Sequence, residues 1–339
     1  MAFLHTERDG WRLKLPSASP GLDDVATRIP TPHRAADALA RVTSFGIVAV
    51  LLVLFPVMTI AQSAGARDYS NTPVNDARFF IDLLDTKADT VAEAGLALPN
   101  NEAVVRTGAI SLLYSFPIGS QYGGVALSGG RATVQVNTPS GNLQATGFTD
   151  PGFTFHANIF GAPALRREDF LSSTPQTFLS FHFTINAPLG SYDRDSPVNV
   201  GGNRWAFTPV LNLSVTRDEG VSWVDLYAGV RFFTNNNDFL GDNQLSQKPL
   251  GILTAHYSHN IGSKMWVAIG VFYDKGGETS INNVPQHNAA SGFRPTVAIS
   301  RAFGKLRFTL RLDDTSSTPD AAPTNRTFSL KITGPLPVF

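Results

Sequence analysis

From residue 67 onward, apolar and polar residues alternate one for one in segment after segment. Leu306, Phe308, Leu310 and Leu312 alternate with Arg307, Thr309, Arg311 and Asp313. Leu179, Phe181, Phe183 and Ile185 alternate with Ser180, His182, Thr184 and Asn186. The same rhythm sets Val224, Leu226, Ala228 and Val230 against Asp225, Tyr227, Gly229 and Arg231, and Phe153, Phe155 and Ala157 against Thr154, His156 and Asn158. Successive side chains of a β-strand point to opposite faces, so each segment predicts a strand with one apolar and one polar face. A soluble sandwich would bury the apolar face against a second sheet, whereas a membrane barrel would turn it to lipid.

The connections favour the barrel. About twelve strands are predicted, near 77–89, 104–116, 130–138, 151–161, 176–188, 203–216, 222–234, 249–260, 264–274, 292–302, 305–313 and 325–333. Connections after odd-numbered strands are long and polar, while those at 217–220, 261–263 and 303–304 are short. Long loops at one end and short turns at the other are expected of a transmembrane antiparallel up-and-down β-barrel of an outer membrane. Two connections, 117–129 and 162–175, are long where this pattern asks for short ones. Trp223 and Trp266 at strand starts, and Phe232, Phe233, Phe272 and Tyr273 near strand ends, occupy places suited to interfacial rings. Pro335 and Pro337 break the phase of the last strand, which predicts a bulge or a tail over "GPLPVF".

The N-terminal part has a different character. No charge occurs between Arg41 and Arg67, and Phe45 to Ala61 is an apolar stretch followed by the small residues "AQSAGA". This is the layout of a cleaved secretory signal, with cleavage expected after Ala66 or Ser63. Residues 1–66 therefore read as leader and signal peptide, and 67–339 as the barrel. With no Cys, disulfides, thiolate metal sites and Cys nucleophiles are excluded. Charged residues are 16% of the chain, and 27 basic residues balance 27 acidic ones, so no global field favours nucleic acid.

Several blocks carry a family resemblance: "TDPGFTFHANIFGAPAL" (149–165), "GGNRWAFTPVLNLSV" (201–215), "VDLYAGVRFFTNNNDFLGD" (224–242), "QKPLGILTAHYSHN" (247–260) and "WVAIGVFYDKGGETSINNV" (266–284). Together with "ARDYSNTPVN" (66–75), they make the chain similar to the MetA-pathway of phenol degradation family of outer-membrane transporters. The resemblance implies a barrel in the outer membrane of a Gram-negative bacterium and a link to uptake of aromatic or other hydrophobic compounds.

The predicted inward faces carry His156, His182, Asp225, Arg231, His256, Arg307 and Arg311 as candidate lumen-lining residues. His256 and Ser258 share one strand face, as a base and nucleophile would. An outer-membrane lipid hydrolase needs such a pair on its lipid side, yet this face also carries Thr254 and Asn260 and suits the lumen. The three His lie on separate strands without metal-site spacing, so no metal or other cofactor is expected. The leading expectation is a porin-like channel for passive uptake of small, aromatic or hydrophobic molecules, and not an enzyme. The alternatives are the lipid hydrolase and a structural or adhesive barrel. Expected partners are outer-membrane lipid and lipopolysaccharide, the barrel-assembly machinery and small-molecule solutes.

Overall fold

The computed structural model describes residues 64–88, 90–91, 96–97, 102–138, 141–314 and 325–337. The expected leader and signal lie outside the described residues, apart from Ala64, Gly65 and Ala66, as does Phe339. Twelve antiparallel strands form the barrel: β1 (Asp76–Ala88), β2 (Glu102–Ile118), β3 (Gln121–Thr138), β4 (Gly152–Gly161), β5 (Phe178–Asn186) and β6 (Ala206–Arg217), then β7 (Ser222–Phe233), β8 (Leu250–Ile261), β9 (Met265–Gly276), β10 (Ala290–Phe303), β11 (Leu306–Asp314) and β12 (Asn325–Leu336). Each pairs with its neighbours in sequence, and β1 closes the ring on β12 from Ala77–Leu336 to Ala88–Asn325. Closure leaves no free edge among the barrel strands, and it satisfies the backbone polar groups that lipid could not.

The alternation becomes two faces. Leu83, Leu127, Phe153, Leu211, Leu226, Leu253, Ile269, Val297, Leu310 and Phe328 are exposed on the outside. Buried polar side chains, among them Asn212, Asp225, Thr254, Ser258 and Ser300, face the inside. That is the inverse of a soluble core and defines lipid as the outer solvent. Among the described residues, no helix is long and apolar enough to cross a membrane.

Three sequence expectations need correction. The connection at 117–129 is not a loop. β2 runs to Ile118 and β3 starts at Gln121, so only Gly119 and Ser120 join them. Its run of Gly and Ser hides a strand, because glycines weaken the strand signal in sequence while admitting close neighbours in the fold. The long-loop, short-turn parity is thereby stronger than the sequence suggested. The connection at 162–175 remains long and carries a short helix, Arg167–Ser172. Trp266 and Phe272 are not interfacial rings: they are 6% and 0% exposed, while the intervening Ile269 is 63% exposed, so both point inward. β12 continues through Gly334 and Pro335, which pair with Phe79 and Arg78 of β1. Its pairing with β11 ends at Thr333, so Pro335 sits where the missing N–H has no ladder to serve.

The long loops are structured. The connections after β7 and β9 build a four-stranded sheet from Asn236–Phe239, Asn243–Gln247, Thr279–Ile281 and Val284–Pro285, with Phe239 and Leu245 buried. There Lys248 Nζ donates to Glu278 Oε2 at 2.6 Å and holds that carboxyl below its ordinary pKa. A further strand, Gly141–Phe148, folds back on β3. The connection at 187–205 tucks Val198 and Val200 against Ala103, Ala132, Val134 and Val136. Both oxygens of Asp150 hold it, accepting from Gly190 N and Gly202 N at 2.9 Å each.

Candidate functional site

Residues 64–75 have no alternation and form no strand. They enter the barrel and occupy the half of its lumen nearer the short turns. Residues 66–69 make a tight turn, in which Asp68 N donates to Gly65 O at 3.2 Å. The turn carries three side chains to three parts of the wall. Arg67 Nε donates to Ser258 Oγ and its Nη1 to Asn260 Oδ1, both at 2.7 Å, with the guanidinium 5.3 Å from the Trp266 ring centroid. Asp68 pairs with Lys331 at 2.7 Å, and Asp82 lies 3.8 Å from the same ammonium. Tyr69 stacks on the His182 imidazole at a centroid distance of 3.8 Å and meets Tyr227 edge-on at 5.0 Å.

The backbone of the segment is held too. Arg67 N donates to Asp225 Oδ2 at 3.0 Å, and Tyr227 Oη donates to Gly65 O at 3.0 Å. His256 Nε2 lies 3.1 Å from Ala64 O. Near the strand β1 start, Thr72 Oγ1 and Tyr122 Oη are 3.0 Å apart, and Val74 N donates to Leu165 O at 2.9 Å.

Behind Asp225 runs a buried polar chain across three strands. Ser214 Oγ donates to Asp225 Oδ1 at 2.6 Å and lies 3.2 Å from Asn212 Oδ1; Asn212 Nδ2 donates to Ser180 Oγ at 2.9 Å; Ser180 Oγ is 2.8 Å from His182 Nε2. One carboxylate thus anchors the plugging segment and ends a network leading to the ring under Tyr69. Asp225→Ala would leave the Arg67 N–H and Ser214 hydroxyl seeking acceptors in a buried place, at a cost of about 1–3 kcal/mol. The expected result is a lower denaturation midpoint in detergent, followed by heat-dependent gel mobility; an unchanged midpoint would mean that water replaces the carboxylate fully.

Space for two imidazoles comes from glycine on the neighbouring strand. A Cβ at Gly124 would lie 2.7 Å from the His156 ring, and one at Gly270 would lie 2.0 Å from His256 Nδ1. These glycines serve close approach rather than backbone conformation.

The lumen holds a cavity of about 840 Å³ that reaches from Arg78 and Thr333 near the short turns to Asp274 and Asn288 near the long loops, and its wall includes His156, His182, Arg231, Arg307 and Arg311. Arg311 Nε is 3.1 Å from Asp313, Arg307 Nη1 donates to Ser300 Oγ at 3.2 Å, and Arg231 lies 5.2 Å from the Phe233 ring centroid. Arg294 and Asp274 pair at 2.6 Å on the same wall. Asp225 and His256 lie instead beneath residues 64–67. The seven residues picked from alternation therefore lie on one inner surface, divided between open cavity and covered floor. His256 and Ser258 face this interior, where Ala64 and Arg67 engage them, and not the lipid that a membrane hydrolase must reach. Sequence reasoning missed Asp68, Tyr69 and Asp82. Asp68 and Tyr69 lie in an aperiodic polar run, where nothing marks which residues will turn into a lumen, whereas Asp82 stands on β1 and shares the inward face with Arg78 and Phe80.

A family described as "Putative MetA-pathway of phenol degradation" matches residues 86–323. No curated protein sequence matches. Among solved structures, the COG4313 outer membrane channel from Pseudomonas putida F1 is similar at 18% identity and a TM-score of 0.66, covering 81% of this chain and 100% of that one. The beta domain of the Bordetella autotransporter Brka is similar at 9% identity and a TM-score of 0.48, covering 77% of this chain and 100% of that one.

Proposed function

Since the chain belongs to the MetA-pathway of phenol degradation family, whose match covers most of its length, we propose that this outer-membrane barrel of a Gram-negative bacterium passes small molecules, aromatic or hydrophobic ones included, down their own gradients. The observation that carries the reading is the cavity of about 840 Å³ inside the closed barrel, bordered by a segment held mainly through hydrogen bonds, an ion pair and one ring stack. Such a wall offers polar surface beside apolar patches, Leu84, Val105, Val134, Val210 and Ile252 among them. The long loops would then face outside and the short turns the periplasm. Lipid and lipopolysaccharide would surround the belt, with the assembly machinery as the route of insertion. Cleavage of the expected signal after Ser63 would keep the Ala64 and Gly65 contacts, and cleavage after Ala66 would remove them.

Charge supplies the test. The described cavity wall carries seven basic side chains against four acidic ones. In a confined path such an excess favours anions, and salt screens it. Planar bilayers containing the protein are expected to show a reversal potential of mild anion preference under a salt gradient. Arg307→Gln with Arg311→Gln is expected to reduce that preference without loss of assembly. Firm cation selectivity would overturn the charge reading, and absence of any conductance or solute flux would favour a structural barrel.

A further inference from the structure

Rings form a continuous file around the inner wall. Tyr122 stacks near His156 at 5.3 Å between centroids, His156 lies 5.3 Å from His182, and Tyr69 stacks on His182 at 3.8 Å. The file continues from Tyr69 to Tyr227 at 5.0 Å, to His256 at 5.9 Å and to Phe272 at 5.2 Å. Every member but one belongs to a barrel strand. The exception is Tyr69, carried by the segment that enters the lumen, and its ring bridges the two halves of the file. Tyr69, His182 and Tyr227 all border the cavity, so the place where Tyr69 sits adjoins open space.

A tyrosine side chain is a para-alkyl phenol. The barrel therefore already holds one phenolic ring, face to face with an imidazole and edge-on to a second phenol, in the two arrangements that aromatic quadrupoles favour. We propose that the pocket formed by His182, Tyr227 and the adjoining His156 is a binding seat for a monocyclic aromatic solute, and that Tyr69 occupies it as a tethered stand-in. A solute ring entering from the cavity would take the place of Tyr69, and release of Tyr69 would loosen the turn that also carries Arg67 and Asp68. The solute and the plug would then compete for one site, so occupancy of the seat and opening of the floor become a single event. This inference rests on the proposed passage of small molecules and adds to it the seat and the coupling.

A tethered competitor acts at an effective concentration in the millimolar range or above. Removing its ring should therefore strengthen solute binding. The experiment uses the purified full-length mature barrel in detergent, with phenol and cyclohexanol as probes of similar size, one with a π-face and one without. Binding is followed by titration calorimetry. Tyr69→Ala is expected to bind phenol at least tenfold more tightly than the parent and to prefer it to cyclohexanol, while Tyr69→Phe, which keeps the ring, should behave as the parent. Adding His182→Leu to Tyr69→Ala should remove the preference for phenol. Heat-dependent gel mobility shows that each variant is folded, and Tyr69 lies outside every barrel strand. Equal phenol affinity in parent and Tyr69→Ala, or equal affinity for phenol and cyclohexanol in Tyr69→Ala, would overturn the proposal. Liposome flux of phenol is read separately: tight binding in Tyr69→Ala without flux in any variant would sink the passage reading while leaving the seat intact.

Discussion

Leu310→Arg is expected to cost about 2–4 kcal/mol and to strip most of the protein from the outer membrane, whereas Thr309→Arg, one residue earlier, is expected to assemble. Leu310 is the middle residue of β11, lies between Ile299 and Leu330 on the neighbouring strands, and is 42% exposed on the lipid face. An arginine there must either leave its charge in hydrocarbon or distort the strand. Thr309 faces the cavity, opposite Lys331 and between Arg307 and Arg311, where a further cation can be solvated inside the lumen and need not enter hydrocarbon. Its loss removes one hydrogen bond to Ser300, worth about 1 kcal/mol. The measurement is the heat-modifiable band of each variant in outer-membrane fractions. Equal assembly of the two would mean that the inside and outside of β11 are reversed.

That contrast is legible in the sequence alone, because β11 alternates without a fault. The same holds wherever one face is apolar and the other polar, as in β5 with Phe181 and Phe183 set against Ser180 and His182. Legibility fails where the chemistry of the two faces converges. In "WVAIGVFY" both faces of β9 are apolar, so period two gives no phase, and Trp266 and Phe272 read as interfacial rings when they are lumen residues. It fails again at Tyr122–Leu127, where Gly123 and Gly124 weaken the strand signal because a neighbouring imidazole and Ile118 need the room. The candidate site divides in the same way. The wall residues Asp225, Arg307 and Arg311 follow from alternation. The plugging turn does not, since Arg67, Asp68 and Tyr69 are placed by contacts more than a hundred residues away, to Ser258, Lys331 and His182.

Replacing residues 67–71 by a Gly-Ser linker of equal length is expected to convert a nearly closed barrel into an open one. The substitution keeps the backbone connection to β1 and the lengths on either side, and it removes the two guanidinium hydrogen bonds, the Asp68–Lys331 pair and the Tyr69 stack. Each is modest singly: a charged hydrogen bond is worth about 1.5–3 kcal/mol and a ring stack about 0.5–1.5 kcal/mol. Against them stands the entropy of fixing the five replaced residues, which have no strand or helix, about 1–2 kcal/mol for each. The opposing sums are similar in size, so the plugged state should win by only a few kcal/mol. Such a margin leaves an open state populated at about 0.1–10%. The parent should therefore show brief, rare openings in single-channel records, and the linker variant long ones, with mean current higher on the order of tenfold or more. Its barrel should persist, because the strand ladder and lipid belt are untouched, although Lys331 would then rely on Asp82 alone. Unchanged current in the linker variant, with assembly intact, would place the barrier in the long loops, where the four-stranded sheet lies. Higher current with the same brief openings would instead mean that the plug narrows the path without gating it.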